Sequence, residues 1–285
     1  MSLERRPLGP LGVEVVGLDL REPIPDAQWR ALRELVMAEG LVVFRDQPMS
    51  PEHQIELGRR FGPLENTSLE DGPMDVSKIE LSNVDECGRL LPEDDVRMQL
   101  VAVNEGWHTD GSFSQIPASF SLFAAVTVPP QGGDTFYASQ QLGWEALPAA
   151  ERAGLFGLRG RHDYDRAYAV RDLEMQEVFS GPAPSSVHPL VRRHPETGRT
   201  GLFISEHLYE IEGLPEEESR ALLLRLLEVC TDPARVYRHR WSVGDLLIWD
   251  NRSMLHRAQG FDPGHARVMR HVRVAGSEET LAACA

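Results

Sequence analysis

The apolar-rich run over residues 13–18 (Val13-Glu14-Val15-Val16-Gly17-Leu18) reads as a short strand. A helical period follows. Trp29, Leu32, Leu35 and Val36 fall on one side of a helix, with Asp26 placed to cap its start. Leu41-Val42-Val43-Phe44 is short and apolar throughout, as expected of a strand buried on both faces. Ser50-Pro51-Glu52 opens a second helix, with proline at the first helical position and an acid in the first turn, and Gly62-Pro63 ends it near Phe61. Residues 66–75 are polar and turn-rich, 78–82 alternate as a strand does, and the acidic stretch 87–99 is expected to be exposed.

From Trp107 onward short β-like segments dominate: around His108 and over 119–128, 135–138 and 155–162. Residues 163–186 have mixed charge, Gly181, Pro182 and Pro184, and no period; they read as an insertion that forms an active-site lid. Residues 187–192 and 202–205 flank a hairpin-like connection at 194–199. An amphipathic helix follows over 214–230, with Leu222, Leu223, Leu226 and Leu227 as its apolar stripe. Strands are expected at 236–241, 245–249 and 267–274, with Gly244 in the turn between the first two. No repeat or linker divides the chain, so residues 1–285 read as one domain. Many short strands, few helices and no βαβ alternation predict a mostly-β sandwich or barrel core braced by helices.

Composition narrows the function. With 285 residues, 41% of them hydrophobic, the chain has material for a sizeable core. The formal charge of -15 argues against nucleic acid as a partner, because phosphate binding needs a basic surface. Cys87, Cys230 and Cys284 lie far apart and form no C-x-x-C pair, which disfavours a disulfide framework or a zinc–cysteine site. Residues 1–10 lack the apolar run of a signal peptide, and no window reaches the ~20 apolar residues of a membrane span. The expectation is a cytoplasmic protein that acts on a small molecule, without nucleic acid or membrane; a homo-oligomer is left open.

Trp107-His108-Thr109-Asp110 carries the first candidate chemistry. Residues two apart on a strand share a face, so His108 and Asp110 would offer an imidazole nitrogen and a carboxylate oxygen to one point. Two histidines and one carboxylate with open positions are the ligand set of non-haem iron(II) oxygenases. His-x-Asp alone is a weak signal. His256 is the best third ligand of the ten histidines, because it follows the strand-and-turn stretch Gly244 to Arg252. His162, His188, His194, His239 and His265 read as packed or surface residues, and His53, Glu105 and Glu206 as solvated. Trp107 and Trp249 read as core aromatics beside the metal.

The chain resembles the taurine dioxygenase and 2,4-dichlorophenoxyacetate dioxygenase (TauD/TfdA) family. Four stretches carry the likeness: NEGWHTDGSF from Asn104, VPPQGGDT from Val128, VYRHRWSVGDLLIWDNRSMLH from Val236, and RVMRH from Arg267. The resemblance implies a double-stranded β-helix (jelly-roll, cupin-like) core with iron(II), 2-oxoglutarate and O2, and hydroxylation of a C–H bond with release of succinate and CO2. His108, Asp110 and His256 match the family's iron ligands. Thr135 matches a residue that hydrogen-bonds the co-substrate, and Arg267 matches the arginine that holds its distal carboxylate. Asn104, His207 and His271 are the candidate substrate-binding residues. His207 and its surroundings favour the phenoxyacetate-type branch. His271 stands where the family usually has an arginine that grips the substrate anion, and is expected to meet an acidic substrate in its protonated form. Strand alternation puts Arg267 and His271 on one face and Arg270 on the other. Candidate substrates are an aryloxyalkanoate, a sulfonate, an amino acid or a biosynthetic intermediate. The competing reading is a non-catalytic or hydrolytic metal-binding β-barrel protein, which has no use for Thr135 and Arg267 as a 2-oxoglutarate clamp.

Overall fold

The all-apolar run Leu41–Phe44 becomes a strand buried along its whole length. In the computed structural model, which describes residues 3–65, 80–92, 95–166 and 183–278, this strand lies inside a large sheet. Its neighbours explain its burial. Leu246–Asp250 pairs with it antiparallel, then Phe120–Thr127, Val268–Val274 and Glu80–Ser82 extend the sheet on that side. Val13–Val16 runs parallel on the other side and Glu4–Pro7 completes the edge.

Alternation along these strands divides two cores. Val42, Phe44, Leu122, Ala124, Leu246 and Ile248 face the helices Asp26–Glu39 and Pro51–Arg59, meeting Trp29, Leu32, Val36 and Ile55. The opposite set, including Phe123, Leu247, Trp249 and Met269, packs against Tyr137 and Met254 of a second sheet. That sheet consists of Val236–His239, Thr135–Ser139 and Met254–Ala258 among the described residues. The candidate site lies between these two sheets. A third core covers the far side of the second sheet, where Ala138 and Leu255 meet the helix Glu216–Cys230. A Cβ on Gly143 would lie 2.2 Å from Cys230 Sγ, so the Gln140–Ala146 helix owes its approach to this glycine.

Several local expectations need adjustment. Ser50 caps its helix, its hydroxyl accepting from His53 N–H at 3.2 Å, but Asp26 does not cap the first helix. Pro25 holds that position, and Asp26 contributes its charge to the first turn instead. The stripe of Glu216–Cys230 is rotated: Leu223, Leu226, Val229 and Cys230 are buried, while Leu222 and Leu227 are partly so. The acidic stretch 87–99 leads into a helix, Val96–Val103. His53 is tied rather than solvated, its Nε2 2.9 Å from Leu20 O. Of the lid insertion, Arg159–Asp163 and Ser185–Pro189 form an antiparallel pair at its base, and residues 167–182 lie outside the described residues. No helix of the described residues is long and apolar enough to cross a membrane.

That base buries two histidines outside the candidate ligand set. His162 is 0% exposed, and neither ring nitrogen has a hydrogen-bond partner among the described residues. Burial, with His188 beside it, holds His162 well below the usual imidazole range; burial lowers His188 to about 4. Both are therefore neutral when folded, while the unfolded chain takes up protons below about pH 6.5. Stability is expected to fall as pH drops from about 6.5 towards 4, by about 2 kcal/mol per histidine between pH 7 and pH 5. The depressed carboxylates Asp110 and Asp250 act only at lower pH. Urea midpoints at pH 7 and pH 5 check this, since His162→Leu should show the smaller fall. An equal fall in both proteins would exclude His162 as a source of acid lability.

Candidate metal centre and co-substrate pocket

His108 and His256 meet through their backbones. The N–H of His108 donates to His256 O at 2.9 Å, and that of His256 to His108 O at 2.8 Å, an isolated antiparallel bridge. Asp110 follows in a turn that Gly111 makes possible with φ 66°. The predicted strand around His108 is thus shortened to one bridged residue, which still sets His108 and Asp110 towards one point. Ligand atoms of His108, Asp110 and His256 all lie within 4.8 Å of one another, and all three residues are buried. The Nδ1–H of His108 donates to Gly106 O at 2.7 Å, which leaves its Nε2 as the free lone pair. Asp110 Oδ1 lies 3.7 Å from His256 Nε2.

The protonation states suit a metal. Burial would raise the Asp110 carboxyl, but His256 and His271 beside it outweigh burial and hold it well below the usual range. Burial, with His108 adjacent, holds His256 well below the ordinary imidazole range, while the Asp110 carboxylate pulls the other way. A carboxylate and neutral imidazoles are the forms that ligate. The donor set fits iron(II) with positions left open.

Arg267 and Thr135 are the candidate co-substrate residues. Arg267 is 7% exposed, and its Nη2 donates to Gly133 O at 3.2 Å. Its Nε has no partner among the described residues, and burial lowers the guanidinium to about 10. Asp134 does not neutralise it, because Arg238 holds that carboxylate at 2.6 Å. A Cβ on Gly133 would sit 3.1 Å from Arg267 Nε, so the glycine keeps open the space beside the cation. This is a buried fork in want of an anion, and it fits a carboxylate. Thr135 Oγ1 accepts from Trp241 Nε1 at 3.0 Å, which leaves its own proton to donate.

The candidate substrate residues separate. Asn104 and His207 line a small cleft that also touches His108 and Glu206. The His207 ring lies edge-on to Phe113 at 5.1 Å and stacks near Tyr164 at 6.4 Å. His271 packs between Phe123 and Trp249, with Nε2 3.4 Å from Asp110 Oδ2. Alternation holds: Arg270 points away from the site and donates to Met49 O at 2.5 Å. Glu206 is not simply solvated, since its Oε1 accepts from Trp107 N–H at 2.8 Å beside the first ligand. Tyr137 escaped the motif reading. It opposes His256 in the second sheet, is fully buried, and its hydroxyl has no partner among the described residues. Its place two residues after Thr135, on the same strand face, was the available signal.

A sheet-rich fold with a buried two-histidine, one-carboxylate face beside an unneutralised arginine defines a mononuclear iron oxygenase with an anionic co-substrate. Residues 4–274 match the model of the taurine catabolism dioxygenase TauD, TfdA family, and the chain belongs to that family. It is 39% identical to the alpha-ketoglutarate-dependent 2,4-dichlorophenoxyacetate dioxygenase of Cupriavidus pinatubonensis, over 95% of this chain and 96% of the relative. It is 34% identical to the (S)-phenoxypropionate/alpha-ketoglutarate-dioxygenase of Sphingobium herbicidovorans, over 95% of each. The crystal structure of AAD-2 in complex with Mn(II) and N-oxalylglycine superposes with a TM-score of 0.87 at 32% identity, covering 97% of this chain and 100% of that one. The chain is accordingly a 2-oxoglutarate-dependent non-haem iron dioxygenase that uses Fe(II), 2-oxoglutarate and O2. The hydrolytic or non-catalytic alternative is set aside.

Proposed function

We propose that this dioxygenase hydroxylates a C–H bond of a small carboxylic acid of the aryloxyalkanoate kind, at iron held by His108, Asp110 and His256. The observation that carries the co-substrate half is the buried, unneutralised Arg267 beside Gly133. Arg267 takes the distal carboxylate of 2-oxoglutarate and Thr135 donates a hydrogen bond to it. When bound, iron with 2-oxoglutarate and O2 supplies the oxidant, and succinate and CO2 leave. The chain's own part is to hold and orient: the three ligands are buried and set close together.

The acidic substrate class is supported by the relatives named for dichlorophenoxyacetate and phenoxypropionate. Asn104 and His207, which line the cleft next to His108, are the substrate contacts. His271, beside Asp110 and on the strand face of Arg267, is a separate contact. The two sheets packed across the Phe123, Tyr137 and Trp249 core support a double-stranded β-helix. The family match over residues 4–274 supports one catalytic domain. A net charge of -15 argues against a nucleic-acid partner.

The test is a panel of aryloxyalkanoates, sulfonates, amino acids and uncharged analogues, supplied with Fe(II) and 2-oxoglutarate and scored by succinate release. Stimulation is expected from aryloxyalkanoic acids. Stimulation by the uncharged analogues alone would overturn the acidic class.

A further inference from the structure

Asp110 presents two different oxygens. Oδ1 faces His256, while Oδ2 accepts from Ser121 Oγ at 2.6 Å. Ser121 is 0% exposed and lies on Phe120–Thr127, a central strand of the large sheet. Its hydroxyl in turn accepts from Asn251 Nδ2 at 2.9 Å, and Asn251 Oδ1 accepts from Trp249 Nε1 at 2.7 Å. The direction of every proton in this chain follows from its far end. An indole nitrogen only donates, so the Asn251 atom facing it is the oxygen and the one facing Ser121 is the amide nitrogen. Ser121, receiving that hydrogen, must turn its own proton towards Asp110. The backbone of Asn251 is pinned as well: its carbonyl accepts from Thr109 Oγ1 at 2.6 Å, the residue between the two N-terminal ligands.

We infer that Trp249, Asn251 and Ser121 form a one-way positioning relay that locks Asp110 Oδ2, so that Oδ1 alone is offered to the metal. The inference rests on the reading of His108, Asp110 and His256 as the metal site. A carboxylate free to rotate would offer both oxygens and fill a position that the co-substrate or O2 needs. The relay prevents this with three fully buried residues, all donating towards the carboxylate. His271 Nε2, 3.4 Å from Oδ2, is the other described group facing that oxygen. It lies beyond good hydrogen-bond length and leaves the shorter contact to Ser121.

Co(II) titrated into the metal-free full-length protein tests this by affinity and by ligand-field spectrum, with no turnover involved. Ser121→Ala is expected to weaken Co(II) binding about 10–100-fold and to change the spectrum as Oδ2 is released. Trp249→Phe keeps a ring but removes the indole donor; a smaller loss in the same direction is expected. Because its effect passes through Ser121, the double variant should bind no worse than Ser121→Ala alone, whereas independent packing defects would add. Wild-type affinity and spectrum in Ser121→Ala, or additive losses in the double variant, would overturn the relay. Should Ser121→Ala not fold, wild-type Co(II) binding by Trp249→Phe would overturn it equally. Asp110→Ala separates the two readings: if it bound Co(II) as the wild type does, the metal site itself would be wrongly assigned.

Discussion

His256→Ala and Asp110→Ala are each expected to reduce 2-oxoglutarate turnover to the uncatalysed background while leaving the protein folded. Three protein ligands define one face of the coordination sphere, and losing one removes both affinity and the geometry that directs the open positions. The fold should survive because the contact joining the two histidine segments is made by backbone groups, which truncation at Cβ leaves in place. Asp110→Ala goes further: it removes the one carboxylate of the proposed ligand set and leaves the Ser121 hydroxyl without its acceptor. Succinate release, measured beside circular dichroism of the metal-free proteins, decides the matter. Undiminished turnover in His256→Ala would mean that another histidine completes the site.

The parts of this molecule legible in the sequence are those where a local pattern allows one arrangement. A four-residue apolar run such as Leu41–Phe44 is satisfied only with both faces covered, and it lies inside the large sheet. Strand alternation separated Arg267 and His271 from Arg270, and Arg270 does turn to the other side. The bulge at Val268/Met269 lies next to Arg267, where alternation is least secure, and no sequence pattern marks it. The helices Gln140–Ala146 and Ala149–Leu155 leave no legible pattern, since two turns are too short to show a 3.6-residue period above noise. The candidate ligands His108, Asp110 and His256 are legible as a joint motif and lie close together, whereas the residues that support them are not legible. Ser121 and Asn251 are 130 residues apart, each an ordinary polar residue in its own segment. Their pairing arises from the register of Phe120–Thr127 against Leu246–Asp250, which places Ser121 opposite Trp249. The approach of His271 to Asp110 is likewise a product of packing between distant strands.

The second large effect concerns Arg267→Ala, for which the 2-oxoglutarate concentration at half-saturation should rise steeply. A desolvated charge pair that loses one partner typically loses ~2–5 kcal/mol, on the order of 30-fold to several thousand-fold in affinity. Thr135→Ala removes one neutral hydrogen bond, worth about 1 kcal/mol, and should cost only several-fold. Arg270→Ala is the control. Its guanidinium engages Met49 O on the far face, so co-substrate affinity should not change. Stability separates a clamp from a structural arginine. Burial has already depressed the Arg267 guanidinium to about 10, and its Nε lacks a partner among the described residues, so in the co-substrate-free protein this charge is held at a cost. Arg267→Ala should therefore unfold at the same temperature as the wild type, or higher, when 2-oxoglutarate is absent. Adding 2-oxoglutarate should raise the unfolding temperature of the wild type but scarcely that of the variant, because a ligand stabilises only the form that binds it. A variant that unfolds earlier without co-substrate, yet keeps wild-type 2-oxoglutarate kinetics, would make Arg267 a packing residue and move the carboxylate site elsewhere.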